Sequence, residues 1–249
     1  MKNAARSRRL LVVLDFDGFL LNSYALLALT LQQFGLDVGD EERFRNRRKF
    51  LKYLGGGKEL LNNLVRIALP SERRIREALT ECYHEHGRVY PAFRPLINHL
   101  IAAPGVQCGV LSRNYTCRPG PTIRAVLRQS GIDDEGLDFV IPIPVGIKKN
   151  DVLAGLRSSG HHGAVLGGDE IGDYRAAVDS GYDPCMASYG FDGRERLLRQ
   201  GAIPDAAIHD TPAAAVEALV EHYGHYFDAQ ANAALRAAPP ALLPEPVAT

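Results

Sequence analysis

The spacing of apolar residues divides the chain into regions of different secondary structure. Five apolar residues, LLVVL at positions 10–14, predict a fully buried strand that ends at an aspartate. Beyond it, apolar residues recur at intervals of three and four, as in amphipathic helices. Breaks at Gly35, Pro70, Gly87 and the triplet GGG separate four predicted helices, at 24–34, 41–54, 59–69 and 71–86.

From Pro91 onward, short apolar runs alternate with amphipathic segments. Strands are predicted at 106–112, 137–143, 163–169, 184–190 and 206–210, with a helix after each. This alternation predicts an α/β fold with a doubly wound parallel sheet. We expect a core of residues 9–20 and 90–223, a small all-helical domain inserted at 21–89, and an Ala/Pro-rich tail at 224–249 that is partly disordered.

Composition excludes several classes of partner. Lys+Arg and Asp+Glu are equal at 29 each among 249 residues, so no net field attracts nucleic acid or a membrane surface. The basic run RFRNRRKFLK at 43–52 lacks interleaved aromatic residues and favours a solvated helix face, with one or two of its cations free to face an anionic substrate.

Membrane and secreted classes are also disfavoured. The basic amino terminus precedes an apolar run that Asp15 interrupts, and no stretch approaches the roughly 20 apolar residues of a membrane span. The four cysteines are scattered without a CxxC pair, which suits a reducing compartment. We expect a soluble cytoplasmic protein, either a monomer or a homodimer.

Polar residues that could act in catalysis or bind ligands follow the predicted strands. Those at or near strand ends are Asp15, Asp17, Ser112, Asp169 and Asp173, and Lys148 and Lys149 begin an intervening helix. Since the carboxyl ends of parallel strands share one sheet edge, these groups can converge.

The charges of this set suit a phosphorylated substrate. Asp15, Asp169 and Asp173 would repel an anion, but one Mg²⁺ and one lysine would neutralise them and accept a phosphate dianion. Ser112 could donate a hydrogen bond to that phosphate. Asp15 could attack phosphorus, and Asp17 could carry the proton that a leaving alkoxide needs.

Four motifs resemble those of the haloacid dehalogenase-like hydrolase superfamily. DFDGFLLNS resembles DxDG(T/V)L(x)(D/N)S, VLSRN resembles the apolar run ending in Ser or Thr, KKNDVL resembles the lysine motif, and GGDEIGD resembles GDxxxD. They occur in the family's order, and with the helical insertion they cover about residues 9–223. The resemblance is to the phosphatase branch, phosphoglycolate phosphatase-like, and implies a Rossmann-like core with the insertion as a helical cap.

The resemblance assigns a role to each aspartate. Asp15 would form an aspartyl-phosphate, and Asp17 would be the general acid and base, with its backbone carbonyl on Mg²⁺. Asp169 would bind the metal. Asp173 would bind it directly or through water, although a helix-capping role after Gly172 competes with this one.

The resemblance also implies a phosphate-binding set. Ser112 would bind the transferring phosphoryl group together with one lysine, preferably Lys149, because Leu153 four residues later would then face the core. Lys148 remains an alternative for that lysine. The remaining predicted phosphate- or substrate-binding residues are Gly18, Arg113 and Asn114.

Asp17 favours phosphoryl transfer over dehalogenation, because a halide leaves without a proton and an alkoxide does not. We therefore expect a Mg²⁺-dependent phosphatase of a small phosphorylated metabolite. A phosphomutase similar to β-phosphoglucomutase and a non-catalytic phospho-ligand-binding protein are the alternatives. Phe19 departs from the motif, and we expect its ring to pack against the cap or narrow the mouth of the site.

Overall fold

The computed structural model describes residues 10–36, 70–144, 146–157 and 160–227. Within them lies one six-stranded sheet in the order β3-β2-β1-β4-β5-β6, with every pair of neighbouring strands parallel. The strands are β1 (Leu10–Leu14), β2 (Val106–Ser112), β3 (Phe139–Pro142), β4 (Gly163–Gly168), β5 (Asp183–Ala187) and β6 (Ile208–His209).

Eight α-helices lie in the described part of the chain. They are α1 (Ser23–Gln32), α2 (Glu72–His86), α3 (Phe93–Ala102), α4 (Pro119–Gln129), α5 (Lys149–Leu156), α6 (Ile171–Asp179), α7 (Arg194–Arg199) and α8 (Pro212–Tyr223). None of these helices is long and apolar enough to cross a bilayer.

Helices cover both faces of the sheet, as the sequence predicts. Alternate residues of β1 point to opposite sides, so that Leu10, Val12 and Leu14 pack with apolar residues of α3, α4 and α8. Leu11 and Val13 pack instead with residues of α5 and α6. The doubly wound α/β prediction is confirmed.

The central strand marks the point where the chain changes direction across the sheet. β1 pairs with β2 on one side and with β4 on the other, with Leu14 opposite Val110 and Gly167. Ligands of open α/β sheets bind outside the carboxyl ends of the strands at such a switch point. The loops after β1 and β4 are therefore the expected location of a site.

α1 and α2 pack against each other next to this edge, through Leu26 and Leu27 of one helix and Ile75 and Leu79 of the other. The predicted helices at 41–54 and 59–69, the basic run at 43–52 and most of the tail lie outside the described residues. The division into core, cap and tail therefore stays a prediction.

One helix was not predicted. α3 spans Phe93–Ala102 between the helical insertion and β2, and it contains Pro95. Proline is tolerated there because it lies in the first turn, where backbone N–H groups have no partner within the helix. Phe93, Leu96, Ile97 and Leu100 bury the apolar face of the helix.

Candidate active site

A cavity of about 410 Å³ opens at the carboxyl ends of β1, β2 and β4. Its polar lining includes Asp15, Asp17, Ser112, Arg113, Lys148, Lys149 and Asp173. α1 and α2 add Leu27, Leu79 and Tyr83 to the lining. The fold thus brings together groups from five separate parts of the sequence.

The loop after β1 requires glycine at position 18. Gly18 has φ of +81°, a conformation that residues with a side chain rarely adopt. A Cβ atom at this position would also overlap the carboxylate of Asp169. The predicted role of Gly18 in binding phosphate is therefore joined by a steric one, because its bare backbone lets Asp169 approach β1.

Lys149 lies between two of the predicted acidic residues. Its Nζ atom is 2.7 Å from Oδ2 of Asp15 and 2.6 Å from Oδ1 of Asp173, and its side chain is 12% exposed. Burial alone would lower the pKa of Lys149, but the two carboxylates outweigh it and hold that pKa above its ordinary value. Lys148 is exposed and forms part of the cavity wall. The structure therefore places Lys149, not Lys148, at the carboxylates.

Asp169 is fully buried beneath the cavity at the end of β4. Its Oδ2 atom accepts a 2.6 Å hydrogen bond from the backbone N–H of Phe191. Its Oδ1 atom accepts none from any residue that the structure describes. A buried carboxylate oxygen without a donor is costly unless a cation or a proton binds it.

Asp173 makes hydrogen bonds both to the start of α6 and to Lys149 in the site. Its Oδ2 atom accepts hydrogen bonds from the backbone N–H groups of Asp169, at 3.2 Å, and Glu170, at 3.1 Å, which caps the start of α6. Its Oδ1 atom faces Lys149. The capping role of Asp173 therefore uses Oδ2 and leaves Oδ1 facing the site, and its role in binding the metal stays a prediction.

These carboxylates fit a hard divalent cation. Oxygen atoms of Asp15, Asp169 and Asp173 lie within 4.8 Å of one another, and all three residues are buried. Burial raises the pKa of Asp15 to about 7 despite the opposing effect of Lys149, and burial together with neighbouring acidic groups raises the pKa of Asp169 well above its ordinary value. The site is thus short of positive charge, and carboxylate oxygens are the ligands that Mg²⁺ prefers.

Asp17 is held by side chains from three elements. Tyr83 donates its hydroxyl hydrogen to Oδ1, while Ser112 Oγ lies 3.2 Å and Asn114 Nδ2 3.1 Å from Oδ2. Burial raises the pKa of Asp17 to about 6, and the three hydrogen bonds limit the rise. This carboxyl group therefore can hold a proton and release it near neutrality.

Sequence reasoning missed Tyr83. It lies on α2 four residues after Leu79 and eight after Ile75, so it continues the buried stripe of that helix. A tyrosine in such a stripe needs a partner for its hydroxyl group, and this is the signal that could have drawn attention to it.

The other predicted binding residues differ in their placement. Asn114 is buried, and its side chain bonds Asp17 and Thr116. Arg113 is exposed on the cavity lining and donates to the backbone oxygen of Ile147 at 2.8 Å. Arg113 and Lys148 thus line the cavity, whereas Asn114 bonds Asp17.

The expectation that Phe19 narrows the mouth of the site is wrong, whereas packing of its ring against the cap stays a prediction. Its ring is fully buried, lies 5.1 Å from the ring of Phe93 on α3 and covers Gly167 of β4 closely enough to exclude any side chain there. It does not line the cavity. The ring turns into the core because α3, which was not predicted, supplies an aromatic partner.

No protein-family model and no curated protein sequence matches the chain. Solved structures do match. A haloacid dehalogenase-like family hydrolase from Streptococcus pneumoniae superposes with a TM-score of 0.56 at 16% identity, over 87% of this chain and 99% of its own. CbbY from Rhodobacter sphaeroides, in complex with xylulose 1,5-bisphosphate, gives 0.56 at 21% identity, over 82% and 94%.

A third structure is the HAD hydrolase YfnB from Bacillus subtilis, bound to magnesium. It superposes with a TM-score of 0.53 at 14% identity, over 79% of this chain and 100% of its own. At such identities the likeness shows the fold alone, and that fold is the haloacid dehalogenase-like one that the motifs predict.

Proposed function

We propose that the chain is a haloacid dehalogenase-like phosphatase that hydrolyses a small phosphomonoester with the help of Mg²⁺. The observation that carries the proposal is the buried cluster of Asp15, Asp169 and Asp173, in which the Lys149 ammonium bonds the first and the last. Asp17 lies beside this cluster with its pKa raised by burial. Together they offer a nucleophile, a proton carrier and a place for a cation.

The reaction has two steps, each centred on phosphorus. A carboxylate oxygen of Asp15 attacks, the bond from phosphorus to the ester oxygen breaks, and Asp17 gives its proton to the departing alkoxide. Asp17, now a carboxylate, then takes a proton from a water molecule that attacks the aspartyl-phosphate. Inorganic phosphate leaves, and Asp15 and the protonated Asp17 are restored.

Mg²⁺ would be held by Asp15, Asp169, Asp173 and the backbone carbonyl of Asp17, and when bound it supplies positive charge against the substrate phosphate. Lys149 orients the attacking carboxylate through its 2.7 Å contact with Asp15. Ser112 donates to a phosphoryl oxygen. Both groups act on charge that develops in the transition state, where each such contact is worth most.

The proposed substrate is a small phosphorylated metabolite. A cavity of about 410 Å³ has room for a molecule of this size, and Arg113 and Lys148 on its wall suit the anionic part of one. CbbY, which shares the fold, binds a phosphorylated sugar.

All four cysteines are free, which is compatible with a cytoplasmic location, and the proposal includes neither nucleic acid nor a membrane as partner. The expectation that the protein is either a monomer or a homodimer stays a prediction.

Phosphate release from a panel of phosphorylated sugars, acids and nucleotides tests the function. We expect release that requires Mg²⁺, stops with EDTA and is absent in Asp15→Asn. Turnover to an isomer of the substrate without free phosphate would identify a phosphomutase instead. Failure of the folded wild type to convert any compound would favour a protein that only binds phosphorylated ligands.

A further inference from the structure

We propose that Tyr83 is a positioning residue that orients the general acid Asp17 toward the leaving group. The proposal rests on the proposed function and adds to it a group from α2, outside the four motifs. It follows from the contact between the Tyr83 hydroxyl and Oδ1 of Asp17 and from the way in which both partners are fixed.

The ring of Tyr83 is immobilised next to the site. The residue is 3% exposed, and its ring stacks on that of Phe16 at a centroid distance of 6.3 Å. Phe16 is the residue between the two motif aspartates, so this packing ties the tyrosine directly to the loop that carries them.

α2 itself is anchored to the loop after β2, which supplies Asn114, while Ser112 at the end of β2 makes the remaining contact with Asp17. Arg76 donates to the backbone oxygens of Tyr115, at 3.0 Å, and Thr116, at 3.2 Å. The backbone N–H of Cys117 donates to Thr80 Oγ1 at 2.9 Å. Tyr83 therefore projects from a helix whose position relative to this loop is fixed by several hydrogen bonds.

The hydrogen bond from Tyr83 gives the two oxygens of Asp17 different roles, with Oδ1 as its acceptor and Oδ2 as the proton carrier. Oδ1 accepts from the tyrosine whether the carboxyl group is ionised or protonated, because a protonated acid keeps one acceptor oxygen. With Oδ1 occupied by the tyrosine, the proton is carried by Oδ2, which lies 3.2 Å from Ser112 Oγ on the phosphate-binding side and keeps acceptor capacity for the 3.1 Å hydrogen bond from Asn114 Nδ2. The leaving oxygen of a bound phosphomonoester is attached to the phosphoryl group that Ser112 contacts, so Oδ2 is the oxygen that must carry the proton.

The test compares two leaving groups. p-Nitrophenolate is a stable anion and leaves without a proton, whereas an alkoxide needs one. Wild type and Tyr83→Phe are assayed with Mg²⁺ on p-nitrophenyl phosphate and on the alkyl phosphate of the panel that wild type hydrolyses fastest. Tyr223→Phe is the matched control, because its hydroxyl bonds Asp183 at the opposite end of the sheet.

We expect Tyr83→Phe to lower kcat/KM for the alkyl phosphate by about 10- to 100-fold, part of the 10²–10⁴ that general acid catalysis contributes. The ratio kcat/KM reports only the steps up to formation of the aspartyl-phosphate, so the later use of Asp17 as a base does not affect it. We expect kcat/KM for p-nitrophenyl phosphate to stay within about 3-fold of wild type, which also shows that the altered site is folded. Tyr223→Phe should match wild type on both substrates. On the alkyl phosphate, the double variant Asp17→Asn/Tyr83→Phe should lose no more than Asp17→Asn alone, because the tyrosine acts through Asp17.

Equal losses on the two substrates, or no loss on either, would overturn the role of Tyr83 while leaving the phosphatase intact. Additive losses in the double variant would do the same. A wild type that hydrolyses neither substrate would overturn the proposed function, and the role of Tyr83 with it.

Discussion

At the scale of single residues, the conformation of Asp169 is set by backbone rather than by other side chains. Gly18 and Gly190 both approach its carboxylate so closely that a Cβ on either would overlap it. The N–H of Phe191 holds Oδ2 at 2.6 Å. With that oxygen fixed, Oδ1 is the atom left to bind a cation.

Gly190→Ala tests this arrangement. The added methyl group would displace the Asp169 side chain, and the backbone of Gly190 lies outside the left-handed region, so steric contact is the main effect. We expect the Mg²⁺ concentration for half-maximal activity to rise by at least about tenfold, the weakening expected when the support of a metal ligand is disturbed.

Gly193→Ala is the control for the same loop, because a Cβ there would meet no atom within 4 Å. It should leave the Mg²⁺ requirement unchanged. An unchanged requirement in Gly190→Ala as well would show that Asp169 is not a metal ligand.

At the scale of secondary-structure elements, the loop after β5 connects the end of β4 to the start of α6. Phe191 contacts Asp169, and the next residue, Asp192, accepts a 2.8 Å hydrogen bond from the N–H of Ile171 at the start of α6. Asp192 is fully buried and also pairs with Arg196 of α7 at 2.8 Å. One carboxylate thus links two helices and the loop beneath the site.

Asp192→Ala should therefore destabilise the protein strongly. Removing one partner of a buried ion pair costs about 3–5 kcal/mol, because the remaining charge and the N–H of Ile171 lose their partner. Glu195→Ala breaks a pair of the same spacing in the same helix, with Arg199, but both of its side chains are more than 70% exposed. Its effect should stay below about 1 kcal/mol.

Urea unfolding of both variants measures the difference. Similar small losses of unfolding free energy in the two would mean that Asp192 does not hold these elements together.

The sequence predicts most helices and strands because the spacing of their apolar residues is regular. It predicts the site because the motif residues lie at the carboxyl ends of strands. α3 was not predicted because Pro95 interrupts its helical pattern. Lys148 and Lys149 could not be separated, since the first turn of a helix cannot be located to one residue from its pattern. A local pattern can mark Tyr83 as buried, but the partners of Tyr83, Asp192 and Phe19 lie in distant segments, and no local pattern identifies them.

At the scale of the whole molecule, the acidic cluster links stability to pH and to metal. Burial raises the pKa of Asp15 to about 7 and that of Asp17 to about 6, above the ordinary value of an aspartate. At pH values between the ordinary pKa of an aspartate and these raised pKa values, the folded protein binds more protons than the unfolded chain. In the absence of metal, the free energy of unfolding therefore falls as the pH rises through this window.

Comparison with Asp15→Asn isolates this effect, because contributions from other groups, such as His209 with its lowered pKa, cancel. In EDTA at about pH 7.5, we expect Asp15→Asn to melt several degrees above wild type, and the difference should be smaller at about pH 5, because it disappears only as the pH falls to the ordinary pKa of an aspartate. Mg²⁺ should raise the melting temperature of wild type at the higher pH and have little effect at the lower one, where protons compete for the carboxylates.

Thermal unfolding at the two pH values provides the measurement. If wild type is the more stable protein at about pH 7.5 without metal, the carboxylate of Asp15 is stabilised by its surroundings and the linkage is wrong.

The central claim is that Asp15 becomes phosphorylated, and the most direct test uses Asp17→Asn with p-nitrophenyl phosphate and Mg²⁺. Formation of the aspartyl-phosphate needs no acid with this substrate, whereas its hydrolysis needs the base that the variant lacks. After an acid quench, mass spectrometry of the peptide that contains residues 10–17 should show one phosphoryl group on Asp15. Release of p-nitrophenolate by this variant with Asp15 unmodified, or turnover by Asp15→Asn at the rate of wild type, would contradict the account.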